Sequence, residues 1–469
     1  MIPIDTLPDE VLLAIFGFFV DENALLKKDV EAWQSLVHVC RRWRNIVFGS
    51  PRRLNLRLFC GTKTPVKDTL DVWPPLPLVI HCSAYRDWQT KSTGNVVAVL
   101  EHNDRVCRID LCGDHRLSIE RALAAMHQPF PELTDLVIKM RFGTVTPLPD
   151  SFLGGSTPRL KRLHLCGIPF PGLPILLLSA THLVELLLCN IPHSGYISPE
   201  VMVSALSTLT SLELLSLRFL SSQSRPDPAN QPPPPPRSLL PVLETLTFEG
   251  ATEYLDDFVA RIDTPHLSYL DVAFVNRNLF DTPQFIQLIS RTSAFDVLET
   301  AHIAFEVNGA VVKLSSETSD CAELIVTVPN GELDEQLVFL ERVFTSCLPP
   351  RAAVTSEDLY IYENIYPDWR QDDIEDTHWL ELLRRFTTVK NLYLSEAIAS
   401  CIAPALQQLV GDGTTEVLPA LEKISLEGLR PRGPAQKGIR KFIAARQLSG
   451  HPIIVSPLSK SERDLEMRN

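Results

Sequence analysis

One short stretch of the sequence holds side chains of the kinds that bind zinc: His102, Cys107, Cys112 and His115. A zinc finger needs paired ligands at short, regular spacings, and this stretch does not have them. The segment between the two cysteines alternates apolar and polar residues as a strand does, which favours packing over metal binding. The other cysteines are scattered singly and are expected to be free thiols in a reducing compartment. We therefore predict no metal site.

Acidic side chains are dense between Asp368 and Asp376, where a calcium ion could be considered. Calcium-binding loops need ligands at defined positions and a glycine at the turn, and this segment has neither. We expect a solvated loop instead. The sequence also contains no phosphate-binding loop, dinucleotide fingerprint, zinc-protease helix or serine nucleophile elbow. The chain is therefore predicted to be non-catalytic and to need no cofactor.

The charge balance restricts the partners. The chain has 469 residues, with 44 Lys and Arg against 57 Asp and Glu and a net charge of −13. A protein that neutralises phosphate backbones needs a basic surplus, so we expect no nucleic-acid partner, and the basic cluster within 41–57 is expected to be a helix face and linker. The apolar run 11–20 is about half as long as a membrane-spanning helix, and no basic leader precedes it. We expect no membrane partner and a cytoplasmic or nuclear location.

The amino-terminal segment, 1–50, has the pattern of two amphipathic helices. Pro8 suits the first position of a helix, and Asp9 and Glu10 follow in the first turn, where the helix dipole favours acids. A second helical pattern runs from about 32 to 48. So short a segment cannot cover the apolar faces of both helices by itself. The helices could form a cap that seals the next domain, or a module that docks on a partner.

Two stretches of this segment are more specific than its periodicity: LPDEVLLAIF at 7–16 and VHVCRRWR at 37–44. Together they resemble the F-box motif. The stretch 20–35 between them is longer than usual, as it is among fungal F-box proteins with leucine-rich repeats. The resemblance implies that the segment binds the Skp-family adaptor of cullin-based ubiquitin ligases. Carried over by position, the adaptor-binding residues are Leu7, Pro8, Glu10, Val11, Leu12, Ile15, Phe16, Leu36, Val39, Cys40 and Trp43.

The whole chain has 69 leucines, and a pattern of the form L-x-x-L-x-L, with Val, Ile or Phe in place of some leucines, recurs after the amino-terminal segment. This period is typical of leucine-rich repeats, where the last two apolar residues point inward from a strand and stacked neighbours cover each repeat. The pattern begins at residues 106, 133, 160, 183, 212, 243, 267, 389 and 421. Segments compatible with return helices are 119–127, 199–206, 255–261, 283–290, 334–344, 376–386 and 397–409.

The sequence therefore predicts a helical F-box followed by an irregular leucine-rich repeat horseshoe, an α/β solenoid. An ordinary parallel α/β domain shares the alternation of strands and helices, but its strands would be continuous apolar runs. The pattern is weakest within 298–359. The predicted parts are an F-box at 1–50, a linker and degenerate capping region at 51–105, a solenoid at 106–456 with a proline-rich loop at 221–238, and a flexible tail at 457–469.

Two functions agree with this architecture. The resemblance implies the substrate-recognition subunit of an SCF-type ubiquitin ligase, in which the F-box binds the Skp-family adaptor, the adaptor joins the cullin scaffold, and the solenoid binds a target protein. Any reactive thiol then belongs to a different subunit. The alternative is a leucine-rich repeat scaffold that binds a protein partner without ubiquitin function. In either case the acidic solenoid favours a partner with a basic surface.

Overall fold

A computed structural model describes most of the chain. No helix among the described residues is long and apolar enough to cross a membrane. The predictions for the proline run, for most of the acidic segment and for the carboxy-terminal tail lie outside the described residues. The described residues are 4, 7–19, 30–61, 65–82, 90–143, 145–223, 237–275, 282–306, 309–316, 322–329, 331–348, 356–363, 376–409, 416–427 and 434–458.

The chain forms two compact units, Met1–Ile197 with Ser204–Leu212, and Ser198–Val203 with Glu213–Asn469. The first unit contains helices α1 (Asp9–Gly17), α2 (Trp33–Val37), α3 (Arg41–Gly49), α4 (Val66–Val72), α5 (Thr90–Leu100), α6 (Arg116–Ala124) and α7 (Leu173–Leu177). Its strands are β1 (Leu58–Cys60), β2 (Leu78–Cys82), β3 (Val106–Gly113), β4 (Asp135–Met140), β5 (Arg162–Cys166) and β6 (Glu185–Ile191). Helix α8 (Pro199–Leu206) has residues in both units.

The strands of the first unit pair in chain order, and every pair is parallel. The register places Leu136 opposite Leu163, and Leu163 opposite Leu186, so equivalent positions of the repeat motif are neighbours. All three leucines are fully buried. The alternate residues, such as His164, point to the opposite face of the sheet and are partly exposed. The repeat pattern therefore builds one continuous apolar layer on the side of the return helices.

The sheet begins earlier than the repeat pattern indicated. Strands β1 and β2, in the segment predicted as a capping region, pair in parallel with each other, and β2 pairs with β3. Helices α4 and α5, which were not predicted, follow these two strands. The apolar side chains Leu58, Leu78 and Ile80 are fully buried. This part of the chain thus has the strand and helix alternation of the later repeats without their leucine spacing.

The second unit continues the same alternation. Its strands are β7 (Leu214–Phe219), β8 (Ser238–Leu239), β9 (Thr245–Gly250), β10 (Ile262–Asp263), β11 (Tyr269–Phe274), β12 (Thr300–Glu306), β13 (Gly309–Ser315), β14 (Glu323–Thr327), β15 (Asp358–Glu363), β16 (Asn391–Leu394), β17 (Lys423–Glu427) and β18 (Ile454–Leu458). Its helices are α9 (Thr252–Ala260), α10 (Pro283–Arg291), α11 (Leu333–Arg342), α12 (Asp376–Leu383), α13 (Glu396–Gln408) and α14 (Pro434–Leu448).

Every strand motif counted in the sequence is confirmed as a strand, and every predicted return helix is present with ends that shift by a few residues. Helices α7 and α14 were missed, as α4 and α5 were. The final strand is Ile454–Leu458. The expected fold class, amino-terminal helices followed by a solenoid of parallel strands and return helices, is confirmed by this topology.

An antiparallel insertion interrupts the parallel order in the second unit. The strand order there is β11-β14-β13-β12-β15, and β13 runs antiparallel to both β12 and β14. Strand β12 then pairs with β15 in parallel, so the repeat arrangement resumes. The sequence pattern was weak here and did not reveal β13. The reason is that β13 is a simple alternating strand. It begins at Gly309, whose φ is +135° and where a Cβ would overlap the carbonyl oxygen of Val328.

Two helical glycines provide a matched test of helix packing. A Cβ on Gly438 of α14 would lie 2.6 Å from the carbonyl oxygen of Ala403 in α13, whereas a Cβ on Gly94 of α5 would meet nothing within 4 Å. We expect Gly438→Ala to lower the free energy of unfolding by about 1–3 kcal/mol, and Gly94→Ala to raise it by about 0.5–1 kcal/mol. Urea unfolding followed by circular dichroism measures both. Stabilisation by both substitutions would contradict the close contact between α13 and α14.

Candidate docking surface

The start of α1 is held against α3 by one arginine. Pro8 precedes the helix, and the acids Asp9 and Glu10 occupy its first turn. The guanidinium of Arg42 donates hydrogen bonds to the carbonyl oxygen of Leu7 at 2.5 Å and to the Asp9 carboxylate at 2.6 Å. Because both side chains of the ion pair are partly exposed, it contributes about 1 kcal/mol or less to stability. Its role is to fix how α1 begins relative to α3.

The second predicted helix is two helices, α2 and α3, with a break at Cys40. The backbone of Cys40 is extended, with φ −157° and ψ 171°, and its Sγ accepts a hydrogen bond from the N–H of Trp43 at 3.5 Å. Arg44 Nε donates to the carbonyl oxygen of Val37 at 3.0 Å, which satisfies a free carbonyl at the end of α2. The apolar period runs through the break because α2 and α3 pack on each other, so periodicity alone predicted one helix.

One apolar face of α1, the inner face, is buried against α3. Leu12 and Phe16 are fully buried, and the Phe16 ring lies 4.7 Å from the ring of Trp43 in α3. Leu36 of α2 and Val47 of α3 are also buried. These residues form the interior of the helical segment.

Trp33, which the sequence did not single out, fastens the helices to the first strand. Its side chain is fully buried, and its indole N–H donates to the carbonyl oxygen of Arg57 at 2.9 Å. Its ring lies 5.1 Å from Trp73 in an edge-on arrangement. Nearby, the Glu31 carboxylate accepts a hydrogen bond from the backbone N–H of Phe59 in β1 at 3.2 Å. The helices and the start of the sheet therefore share one interior.

A second apolar face of α1 is exposed. Val11, Ile15 and Phe18 are four and three residues apart, so they fall on one side of the helix; we call these three residues the outer face. Val11 is 41% exposed and Phe18 is 91% exposed, while Ile15 is half-buried. Phe19 and Val39 are also exposed, at 57% and 59%. Exposed apolar side chains clustered in this way mark interaction sites.

Residues 4–55 match the protein family described as F-box-like. They form an F-box-like domain. The comparison with curated proteins finds no match. Among solved structures, the leucine-rich repeat-containing protein LegL7 from Legionella pneumophila matches 82% of this chain and 96% of its own length at 12% identity, with a TM-score of 0.28. A superposition of that quality carries no argument, so the repeat assignment rests on the strands of this chain.

The predicted adaptor-binding residues fall into two groups in the F-box-like domain. Leu12, Phe16 and Leu36 are buried within it, where they hold the helices together. The others are partly or fully exposed: Leu7, Pro8, Glu10, Val11, Ile15, Val39, Cys40 and Trp43. Phe18 was not among the predicted residues, although its spacing of seven from Val11 could have indicated it. Contact with an adaptor stays a prediction for the whole set.

The cysteine and histidine stretch considered for zinc belongs to strand β3 and its flanks. The Cys107 thiol donates to the carbonyl oxygen of Leu78 at 3.3 Å, and burial raises its pKa to about 11. Within the described ranges, no cluster of three or more His, Cys, Asp or Glu side chains could hold a metal ion. Cys107 packs against the buried side chains of Val30 and Val79.

The second unit presents rings on the sheet face opposite its buried leucines. The register aligns His302, Tyr360 and Tyr393 across β12, β15 and β16; we call these three residues the ring row. The rings of His302 and Tyr360 stack 4.5 Å apart, and those of Tyr360 and Tyr393 stack 4.1 Å apart. Tyr362 meets His302 edge-on at 6.2 Å. Burial, followed by the charge of Lys313, lowers the pKa of His302 to about 4.

Trp33→Phe tests how the F-box-like domain is fastened to the sheet. The substitution removes the hydrogen bond to Arg57 and part of a fully buried ring, so we expect the free energy of unfolding to fall by about 1–3 kcal/mol. Phe18→Ala, at a side chain that is 91% exposed, is the control and should leave stability unchanged. Chemical unfolding measures both. A loss of stability from Phe18→Ala alone would show that Phe18 is covered within the chain.

The ring row makes stability depend on pH. His302 titrates near pH 4 in the folded protein and near 6.5 when unfolded, so the unfolded chain takes up the proton first. Its stabilising contribution is complete above pH 6.5 and is lost as the pH falls toward 4. We expect the wild type to lose about 3 kcal/mol more than His302→Gln between pH 7 and pH 4. Urea unfolding at several pH values measures this, and parallel pH profiles of the two proteins would contradict the burial of His302.

Proposed function

We propose that this protein is the substrate-recognition subunit of an SCF-type ubiquitin ligase. Its F-box-like domain binds a Skp-family adaptor, the adaptor joins a cullin scaffold, and the solenoid binds the target protein. The outer face is the observation that carries the proposal. The inner face of α1 is already closed on α3, yet Val11, Ile15 and Phe18 still present apolar surface to solvent. A partner helix or groove that covers them accounts for a helix with two apolar faces.

The free energy of burying the outer face is too small for tight binding, so the docking surface must include further residues. Burying the three side chains of the outer face contributes about 5–9 kcal/mol before costs. Association costs about 4 kcal/mol or more in lost freedom of motion, so these residues alone give weak binding. The exposed Phe19 and Val39 supply further apolar area. Since the margin is narrow, the loss of any outer-face residue should weaken the complex strongly.

Three of the described thiols are poorly suited to covalent catalysis. Burial raises the pKa of Cys107 and of Cys401 to about 11, and it also raises the pKa of Cys166. A thiol with a raised pKa forms little of the reactive thiolate at neutral pH. In a ubiquitin ligase the transferring thiol would then lie on another subunit, and this chain would supply proximity and orientation.

The outer face can be tested with two charged substitutions. We expect Val11→Glu combined with Phe18→Glu to weaken binding of a purified Skp-family adaptor by about 100-fold or more, because two carboxylates would be buried in an apolar interface. Isothermal titration calorimetry on the full chain measures the affinity. Leu117→Glu, at a side chain of α6 that is 71% exposed, is the matched control and should bind as the wild type does. Circular dichroism verifies that all variants are folded.

Two results would reject the receptor proposal: a wild-type chain that does not bind the adaptor, or a folded double variant that binds it as tightly as the wild type does. Either result would favour the alternative function, a leucine-rich repeat scaffold whose helices only cap the sheet. Reconstitution with the adaptor, a cullin and a charged ubiquitin-conjugating enzyme then tests ligase function directly, by ubiquitin transfer to a bound protein.

A further inference from the structure

The sheet face that carries the ring row has the chemistry of a binding surface. Residues that alternate with the buried leucines of β7, β9 and β11–β17 share this face, which we call the open face. Tyr360, Tyr362 and Tyr393 remain partly exposed on it. Stacked rings are rigid and present apolar and π surface at low entropic cost, as binding sites commonly require.

The charges of the open face are predominantly negative. Its charged positions are six carboxylates, Glu249, Asp271, Glu306, Glu323, Asp358 and Glu427, against three cations, Arg218, Lys313 and Lys423.

Two of these cations are already engaged by carboxylates of the same face. Lys313 lies 2.5 Å from Glu323, and Arg218 lies 3.9 Å from Asp271. Burial raises the pKa of the Asp271 carboxyl. The charge of Arg218 opposes this shift, and the charges of Glu249 and Glu323 add to it. His302 adds no positive charge at neutral pH, since its pKa is about 4. The face therefore attracts cations.

The ring row ends beside small polar side chains. Next to Tyr393 in the same register come Ser425 of β17 and Ser456 of β18, whose hydroxyl oxygens lie 2.9 Å apart. The Asp358 carboxylate is on the neighbouring row, where it accepts a hydrogen bond from the Asn391 side chain at 2.8 Å. Ser425 is itself buried, so the accessible part of the ring row is Tyr360 and Tyr393, and Asp358 lies two residues before Tyr360 on the same strand and face.

We propose that the open face binds a basic segment of the target protein, with an arginine or lysine side chain placed against the exposed surface of Tyr360 and Tyr393, beside Asp358. Cation–π contact and the surrounding carboxylates provide the recognition. The inference deepens the proposed function and rests on it only in calling the partner a target. A phosphorylated segment is the opposite choice of partner. It would need clustered arginines, and Arg218, beside Asp271, is the single arginine of the open face.

The test uses the full chain and a fluorescein-labelled Gly/Ser peptide with interspersed arginines, measured by fluorescence anisotropy. The same peptide with glutamates, and with phosphoserines, serves for comparison. We expect the arginine peptide alone to bind. Tyr393→Leu should weaken its binding by about five- to tenfold, whereas Tyr393→Phe, which keeps the ring at the same net charge, should stay within about twofold of the wild type. Asp358→Asn should weaken binding by about two- to fivefold, and Glu381→Gln, on an exposed position of α12, should not.

The comparison of Tyr393→Leu with Tyr393→Phe separates a defined site from general attraction to an acidic protein. Equal binding by these two variants, tighter binding of the phosphoserine peptide, or no binding of the arginine peptide would each overturn the proposal. Adaptor binding is measured on the same proteins. Loss of adaptor binding in the wild type would reject the ligase role and leave the chemistry of the open face standing, so the two failures are distinguishable.

Discussion

The fold depends on one constraint: a single strand of this chain cannot cover its own leucines. Leu136, Leu163 and Leu186 lie opposite one another in register and are fully buried only because each repeat covers the next. Stability is therefore shared between neighbours, and a local change in strand direction is tolerated when the apolar layer continues. The antiparallel strand β13 in the second unit is such a change. Val312 and Leu324 keep that layer filled while the strands run antiparallel.

The helices of the F-box-like domain likewise cannot cover their own apolar faces. Its helices are too few to bury both apolar faces of α1, and the inner face takes α3 as its cover through Phe16 and Trp43. Trp33 extends that interior to the first strand through Arg57 and Trp73. The outer face stays exposed as a consequence, since the chain has no further element to place on it within the described part of the domain. In the proposed complex, docking and folding would use different residues of one helix, so binding strength could vary without loss of the fold.

A division of labour also holds along the strands. The inward positions are fixed by packing, whereas the alternate positions on the open face are free to carry rings and carboxylates. In the second unit they include the stacked pair Tyr360 and Tyr393 beside Asp358. The same backbone register that buries the leucines brings these side chains from neighbouring repeats into one row. A repeat sheet built this way can change the chemistry of its open face by changing outward residues alone, and the core is unaffected.

The sequence by itself determined the repeating elements, because the spacing of leucines is a local signal and each motif specifies its own inward side. It also determined that the amino-terminal helices carry more apolar surface than they can bury, and the LPDEVLLAIF and VHVCRRWR stretches identified the F-box-like domain. Tertiary structure alone decided which apolar residues are covered: periodicity cannot separate Phe16 from Phe18, since both lie on apolar faces and only packing against Trp43 buries the first. It also decided the break at Cys40, the antiparallel strand β13 and the ring row. The ring row follows from strand pairing between residues far apart in the chain, which no local pattern encodes.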